Sequence, residues 1–345
     1  MVNSGTLPAN DSLTLYSSFD GGNTWVPKLS LPHTDGFSTS DGMLTATGTG
    51  ATLQLVYGTA ANTGNIIYAI ATYDASTQTW TLTSTQTAFS AKAVTGSDPA
   101  FAVDSNGGLW CGFTAENIQS QEYQIDMLYL AAKSTNWVNT GLVFGTTDDS
   151  SQHAARPVPF TGGVGMIYQS DETMYWSYRM STSAIEAPWE SSVLYVGLPS
   201  NNADPYDSHF SVVADASNDL FLGFAGNSQL LYLKYTSSTA TWAPIQALTT
   251  SKAKSAYMKA SIAGGNIVMI ANDLSSLEVF QSTNDGDTFQ LTQALVHPTG
   301  GSGTDDYQNP RVEMPSYATS PMPVWQQFYY GSTQGLLFFP VPVIN

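Results

Sequence analysis

Residues 13–25 read LTLYSSFDGGNTW: an alternating apolar run, a short polar turn and a closing aromatic, Trp25. The same unit returns as IIYAIATYDASTQTW (66–80), MLYLAAKSTNW (127–137), MYWSYRMSTSAIEAPW (174–189), LLYLKYTSSTATW (230–242) and LEVFQSTNDGDTF (277–289). The closing aromatics, Trp25, Trp80, Trp137, Trp189, Trp242 and Phe289, recur every 47 to 57 residues. Two further strand-like runs lie between successive turns, such as PAFAVDSNG and GLWCGFTA (99–114), or HFSVVADASN and DLFLGFAGN (209–227). Each unit therefore reads as four short strands, and the quoted turn joins the third strand to the fourth. No long window carries helical periodicity.

A four-stranded unit of about 50 residues buries its faces only by packing on its neighbours, which is how propeller blades are built. The expectation is an all-β chain, 1–345 forming a single six-bladed β-propeller of four-stranded antiparallel blades. Both termini close the ring: the N-terminus gives a third-and-fourth-strand pair (13–31), and the C-terminus gives PRVEMPSY (310–317), PVWQQFYY (323–330) and GLLFFPVPV (335–343). That is one strand more than six blades need, so seven blades stand as the alternative.

The composition narrows the partners. Of 345 residues, 10 are Lys or Arg and 27 are Asp or Glu, for a net charge of −17. Nucleic acid and anionic membranes carry the same sign and are poor partners. No apolar run is long enough for a membrane-spanning helix. A single cysteine, Cys111, excludes a disulfide framework and reads as a buried small hydrophobe. MVNSGTLPAND lacks a basic n-region and an apolar h-region, so no signal peptide is expected in it. A cytosolic protein and a secreted one whose leader has been removed both fit, and the oligomeric state is open.

Two turns are sharper than the rest. Ser18, Asp20, Gly22, Thr24 and Trp25 match S-x-D-x-G-x-T-W at every specified position; Ser282, Asn284, Gly286, Thr288 and Phe289 match with Asn for Asp and Phe for Trp. An Asp or Asn side chain accepts bonds from turn amides, Gly takes a positive φ, and the aromatic wedges into the blade. This resembles the Asp-box of the sialidase-like (BNR-repeat) propellers, and in strand order the resemblance covers essentially the whole chain. The box recurs in propellers of many activities, so these residues are read as structural.

Fourth-to-first-strand connections emerge on the face opposite those turns. They hold all four histidines, His33, His153, His209 and His297, and six of the ten basic residues, Lys92, Arg156, Lys252, Lys254, Lys259 and Arg311. Each first strand is entered through one ionisable residue: Asp41, Asp98, Arg156, His209, Lys259 and Arg311, spaced 50 to 58 residues apart. Two carboxylates, one imidazole and three cations at equivalent blade positions would perturb one another's ionisation, as groups at functional sites do. Capping of strand ends and pairing across the channel are the plainer alternative.

The sialidase resemblance implies a clamp of three arginines on a substrate carboxylate, an Asp acid/base and a Tyr–Glu nucleophile. On this pattern Arg156 and Arg311 supply two arginines, and Lys259 replaces the third as a point charge without the bidentate fork. Arg179, within a third strand, faces away from the axis. Tyr257 or Tyr317 supplies the tyrosine, and Asp41 or Asp98 the acid. The N-terminal F-R-I-P element of that family is missing. If the chain is an enzyme, the catalytic candidates are Asp41, Asp98, His209 and Tyr257. The ligand-binding candidates are Arg156, Lys259, Arg311, Tyr317, His153 and Tyr307. No cofactor is expected, though Asp204-x-x-Asp207-x-His209 and Thr304-Asp305-Asp306-Tyr307 offer donors suited to Ca²⁺. Trp110, Trp176 and Trp325 lie on strands and read as core.

A lectin-like glycan binder is the first functional reading, favoured by a Ser/Thr/Asn-rich, low-charge chain and an incomplete arginine triad. A glycan-active enzyme, either a divergent hydrolase or a lyase with one axial site, is the second, favoured by the unlike ring residues. A protein-binding propeller is the third.

Overall fold

The computed structural model describes residues 14–17, 19–20, 24–32, 44–49, 51–59, 64–90, 94–117, 119–147, 154–198, 210–226, 229–248, 257–263, 265–272, 276–296, 307–312, 317–318, 322–330 and 333–343. Among these there is no helix, and so none long and apolar enough to cross a membrane.

The chain divides into two compact units. The first in chain order opens with a hairpin, β1 (Thr14–Ser17) and β2 (Val26–Ser30). Three four-stranded sheets follow. One is β3 (Leu44–Thr49), β4 (Thr52–Gly58), β5 (Ile66–Asp74) and β6 (Thr79–Phe89); the next is β7 (Val94–Val103), β8 (Leu109–Asn117), β9 (Tyr123–Leu130) and β10 (Trp137–Thr147). The third is β11 (Ala154–Phe160), β12 (Gly163–Ser170), β13 (Thr173–Met180) and β14 (Glu190–Val196).

The other unit holds β15 (Phe210–Ala214), β16 (Leu220–Gly226), β17 (Gln229–Thr236), β18 (Thr241–Trp242) and β19 (Gln246–Ala247) in one sheet. Both β18 and β19 pair with β17, so two short pieces form the outer strand. Pro244, which has no N–H for the ladder, lies in the break. A second sheet contains β20 (Tyr257–Ala263), β21 (Asn266–Asn272), β22 (Ser276–Ser282) and β23 (Gln290–Val296), and a last one β24 (Tyr307–Val312), β26 (Met322–Tyr330) and β27 (Thr333–Val341). The two-residue strand β25 (Tyr317–Ala318) pairs parallel to β20; every other pairing is antiparallel.

Strand composition follows position in the sheet. The second strands LWCGFTAEN, GVGMIYQS and LFLGFAG are buried at nearly every residue, and so read as near-continuous apolar runs and not as alternating ones. The outer strand TWTLTSTQTAF alternates instead, one face packed and one face wet. Trp110 and Trp176 are 0% and 3% exposed, and Cys111 is fully buried, as expected of core residues.

The turn aromatics pack further than the sequence indicated. Trp137 meets Tyr68 edge-on at 5.5 Å, Trp189 meets Trp110 and Phe144 at 5.6 Å, and Phe289 meets Tyr232 at 4.7 Å. Trp80 Nε1 donates to Ser17 Oγ at 3.2 Å. In each case the partner belongs to the preceding sheet. These aromatics wedge between sheets, while Trp80 and Trp242 also pack on Tyr73 and Tyr235 of their own sheets at 5.2 and 5.3 Å.

Candidate functional site

Within each unit the first strands of successive sheets are neighbours. β7 adjoins β3 and β11, while β20 adjoins β15 and β24. Asp98 falls on β7, Arg156 on β11, Lys259 on β20 and Arg311 on β24. The predicted residues therefore come in pairs on adjacent strands, Asp98 with Arg156 and Lys259 with Arg311. Tyr257 opens β20, Tyr307 opens β24, and Tyr317 lies on β25, hydrogen-bonded beside β20. Asp41, His153 and His209 lie outside the described residues, as do His33, His297, Asp204, Asp207 and Thr304 to Asp306.

Strand boundaries differ from the reading made on the sequence. Apolar residues alone marked the entries at 99, 157, 260 and 312, but the backbone ladder starts three to five residues earlier, at Val94, Ala154, Tyr257 and Tyr307. The 310–317 strand is also two pieces: 307–312 pairs with β26, whereas 317–318 crosses to β20. Two of the entries are bulged. β7 gains a residue against β8 between Ser97 and Ala100, and β24 gains one against β26 between Gln308 and Arg311. Each bulge contains a proline, Pro99 or Pro310, which cannot donate to the ladder. Arg156 and Lys259 sit in regular pairs, opposite Ile167 and Ile270. The half-buried Arg156 donates from Nη1 to the Ala155 carbonyl at 2.8 Å.

One carboxylate near these strands had escaped the sequence reading. Asp126, on β9, is 9% exposed and accepts a 2.7 Å bond from Gln124 Nε2. It pairs with Phe113, and the Asp98–Pro99 bulge faces the same stretch of β8, between Thr114 and Gly112. Burial raises its carboxyl above the usual range, against the opposing effect of the Gln124 bond. The signal in the sequence is an acid within the apolar run YQIDMLYL.

Arg179, left out of the ligand-binding set on the sequence, is buried. It is 5% exposed, with Cζ 4.4 Å from the Trp110 ring centroid, and Nη2 donates to the Ser183 and Ala184 carbonyls at 2.5 and 3.0 Å. Its charge also faces Asp104, which accepts bonds from the Asn106 and Gly108 amides and from Trp110 Nε1, all at 2.9 Å. This guanidinium holds two sheets together.

The two sharp turns have the predicted hydrogen bonds where they are described. Asp20 accepts from Thr24 N at 2.9 Å and Thr24 Oγ1 at 2.6 Å. Asn284 Oδ1 accepts from Thr288 N at 3.0 Å, and Ser282 Oγ accepts from Gly286 N at 2.9 Å. Gly286 has φ +75°. Trp25 is half-buried, and Ser18 and Gly22 lie outside the described residues.

No family model and no curated protein matches the chain. Solved structures do. NanB sialidase from Streptococcus pneumoniae is similar with a TM-score of 0.53 at 9% identity, over 91% of this chain and 71% of that one. A candidate 6-phosphogluconolactonase from Bacteroides fragilis gives 0.54 at 10% identity, over 99% and 94%. A protein of unknown function from Dyadobacter fermentans gives 0.50 at 11% identity, over 88% and 96%. At these identities the likeness is one of fold, and the fold is of the β-propeller class.

Proposed function

We propose that this chain is a glycan-binding propeller of lectin type, with six blades closed by strands from both termini and Asp-box turns at Asp20 and Asn284. Glycan is bound at the entry ends of first strands, where Asp98 and Arg156 form one pair and Lys259 and Arg311 another; Asp41, His153, His209, Tyr307 and Tyr317 belong to the same predicted set. One observation carries this reading: in a chain poor in charge, ionisable residues recur at the blade period on first strands, and two pairs lie on adjacent strands. Guanidinium groups offer paired donors to a sugar carboxylate, Lys259 adds a point charge, and the tyrosines offer flat apolar faces with a polar tip. The ligand class that fits is an acidic sugar. A local set of cations attracts it in spite of the overall negative charge.

A glycan-active enzyme is the second reading. It is favoured by the unlike residues of the set and by Asp126, a buried carboxyl that holds its proton more tightly than usual. Asp41 or Asp98 would then serve as the acid/base, with Tyr257 as the nucleophile, or His209 and Tyr257 would serve a lyase. A glycan array run beside a release assay on the bound glycans separates the two. Binding without turnover supports the lectin. Turnover abolished by Asp98→Asn supports the enzyme. An array without binding overturns both.

A further inference from the structure

The hairpins joining first to second strands share an Asx turn in two sheets. Asp104 Oδ1 accepts from the Asn106 and Gly108 amides at 2.9 Å; Asp215 Oδ1 accepts from the Ser217 and Asp219 amides at 2.8 Å. Beside each hairpin lies the third-to-fourth-strand region of the next sheet in its unit. Near Asp104 that region contributes a cation, Arg179. Near Asp215 it contributes another carboxylate, Asp285, and the place of Gly108 is taken by Asp219.

Carboxylate oxygens of Asp215, Asp219 and Asp285 all lie within 4.8 Å of one another. Lys234 neutralises part of this charge, with Nζ 2.6 Å from Asp285 Oδ2, 2.6 Å from the Asp285 carbonyl and 3.4 Å from Asp287 Oδ1. Four carboxylates against one ammonium leave 1 − 4 = −3 in one place. An independent feature points into the same spot. Tyr232 is 0% exposed, and its hydroxyl has no hydrogen-bond partner among the described residues. That oxygen is aimed at the turn beside Asp285, only 2.1 Å from where a Cβ on Gly286 would stand. A buried phenol without a partner is costly unless a further polar group meets it.

We propose that Asp215, Asp219 and Asp285 chelate one Ca²⁺ ion, which ties the β15–β16 hairpin to the β22–β23 turn of the next sheet. The donors are all oxygen, which excludes the soft metals. Calcium accepts six to eight oxygen ligands in flexible geometry at about 2.3–2.6 Å, whereas magnesium demands a near-ideal octahedron at about 2.1 Å. The remaining positions go to water, one molecule of which meets the Tyr232 hydroxyl. The site uses none of the proposed glycan-binding residues.

The test is calorimetric titration of the chelator-treated full chain with CaCl₂, beside thermal unfolding with and without Ca²⁺. One saturable ion per chain and a Ca²⁺-dependent rise in melting temperature are expected, with Mg²⁺ weaker. Asp219→Asn keeps an acceptor for the Ser237 amide, which donates to Asp219 at 2.7 Å, and Asp285 is exposed, so both Asn variants fold. Each weakens Ca²⁺ binding about tenfold or more. Asp219→Asn does not melt below the wild type in the absence of the ion, because it relieves repulsion. Asp285→Asn also gives up the Lys234 ion pair, so its Ca²⁺-dependent rise is measured against its own ion-free form. Absence of saturable uptake, or uptake that both variants retain unchanged, overturns the proposal.

Discussion

Gly286→Ala is the sharpest single test of how consecutive sheets are joined. The position has φ +75°, which costs an alanine about 1–2 kcal/mol. Its Cβ would stand 2.1 Å from the Tyr232 hydroxyl oxygen and 2.9 Å from Phe221 Cε1, both on the preceding sheet. Those rings are fully buried and cannot swing away, so overpacking adds about 1–3 kcal/mol. The expected loss is about 2–5 kcal/mol in all. Gly265→Ala is the control: its φ is +85°, but nothing lies within 4 Å of the added methyl, so only the backbone cost remains. Urea unfolding followed by tryptophan fluorescence measures both, compared at unchanged m. Equal losses in the two variants would refute the claim that this turn is pressed into the neighbouring sheet.

Three further outcomes follow from burial. Asp126 has a raised carboxyl pKa in the folded chain, so its contribution to stability is complete below the unfolded carboxyl range and is lost as pH rises through the folded value. Asp126→Asn should therefore stabilise the protein at pH 7 and leave it unchanged near about pH 3, in paired urea titrations. Arg179→Met removes the donor to two carbonyls and the cation over Trp110, at a cost of about 3 kcal/mol by the same assay. Arg179→Lys, which lacks the planar fork, should not restore it. Cys111 is fully buried and its thiol is pushed up by desolvation, so a thiol reagent should modify it only as fast as the chain unfolds.

Much of the fold was legible because each unit must announce its own turn. Thr24 and Thr288 need an Asp or Asn four residues earlier, and second strands buried along their whole length must be apolar throughout, so LWCGFTA and LFLGFAG read as strands unaided. The limits of that reading are physical too. A ladder hydrogen bond is indifferent to the side chain, so Val94 to Ser97 pair as well as the apolar run after them. The bulges at Pro99 and Pro310 shift the strand positions by one residue without altering the sequence period. Arg179 could be placed on a third strand, but its role could not be read, because no local signal reports that Trp110 of another sheet lies against it. Asp126 was hidden for the opposite reason: one acid in an apolar strand breaks no pattern.

In the proposed glycan binder, ligand is held at first-strand entries while the turns at the far ends of the sheets only hold the fold. The direct measurement is the affinity of the best array glycan for Arg156→Met/Arg311→Met and for Asn284→Ala. The arginine pair should lose binding about tenfold or more with unfolding unchanged, whereas Asn284→Ala loses stability and binds normally while folded. Full affinity in the arginine variant would contradict it.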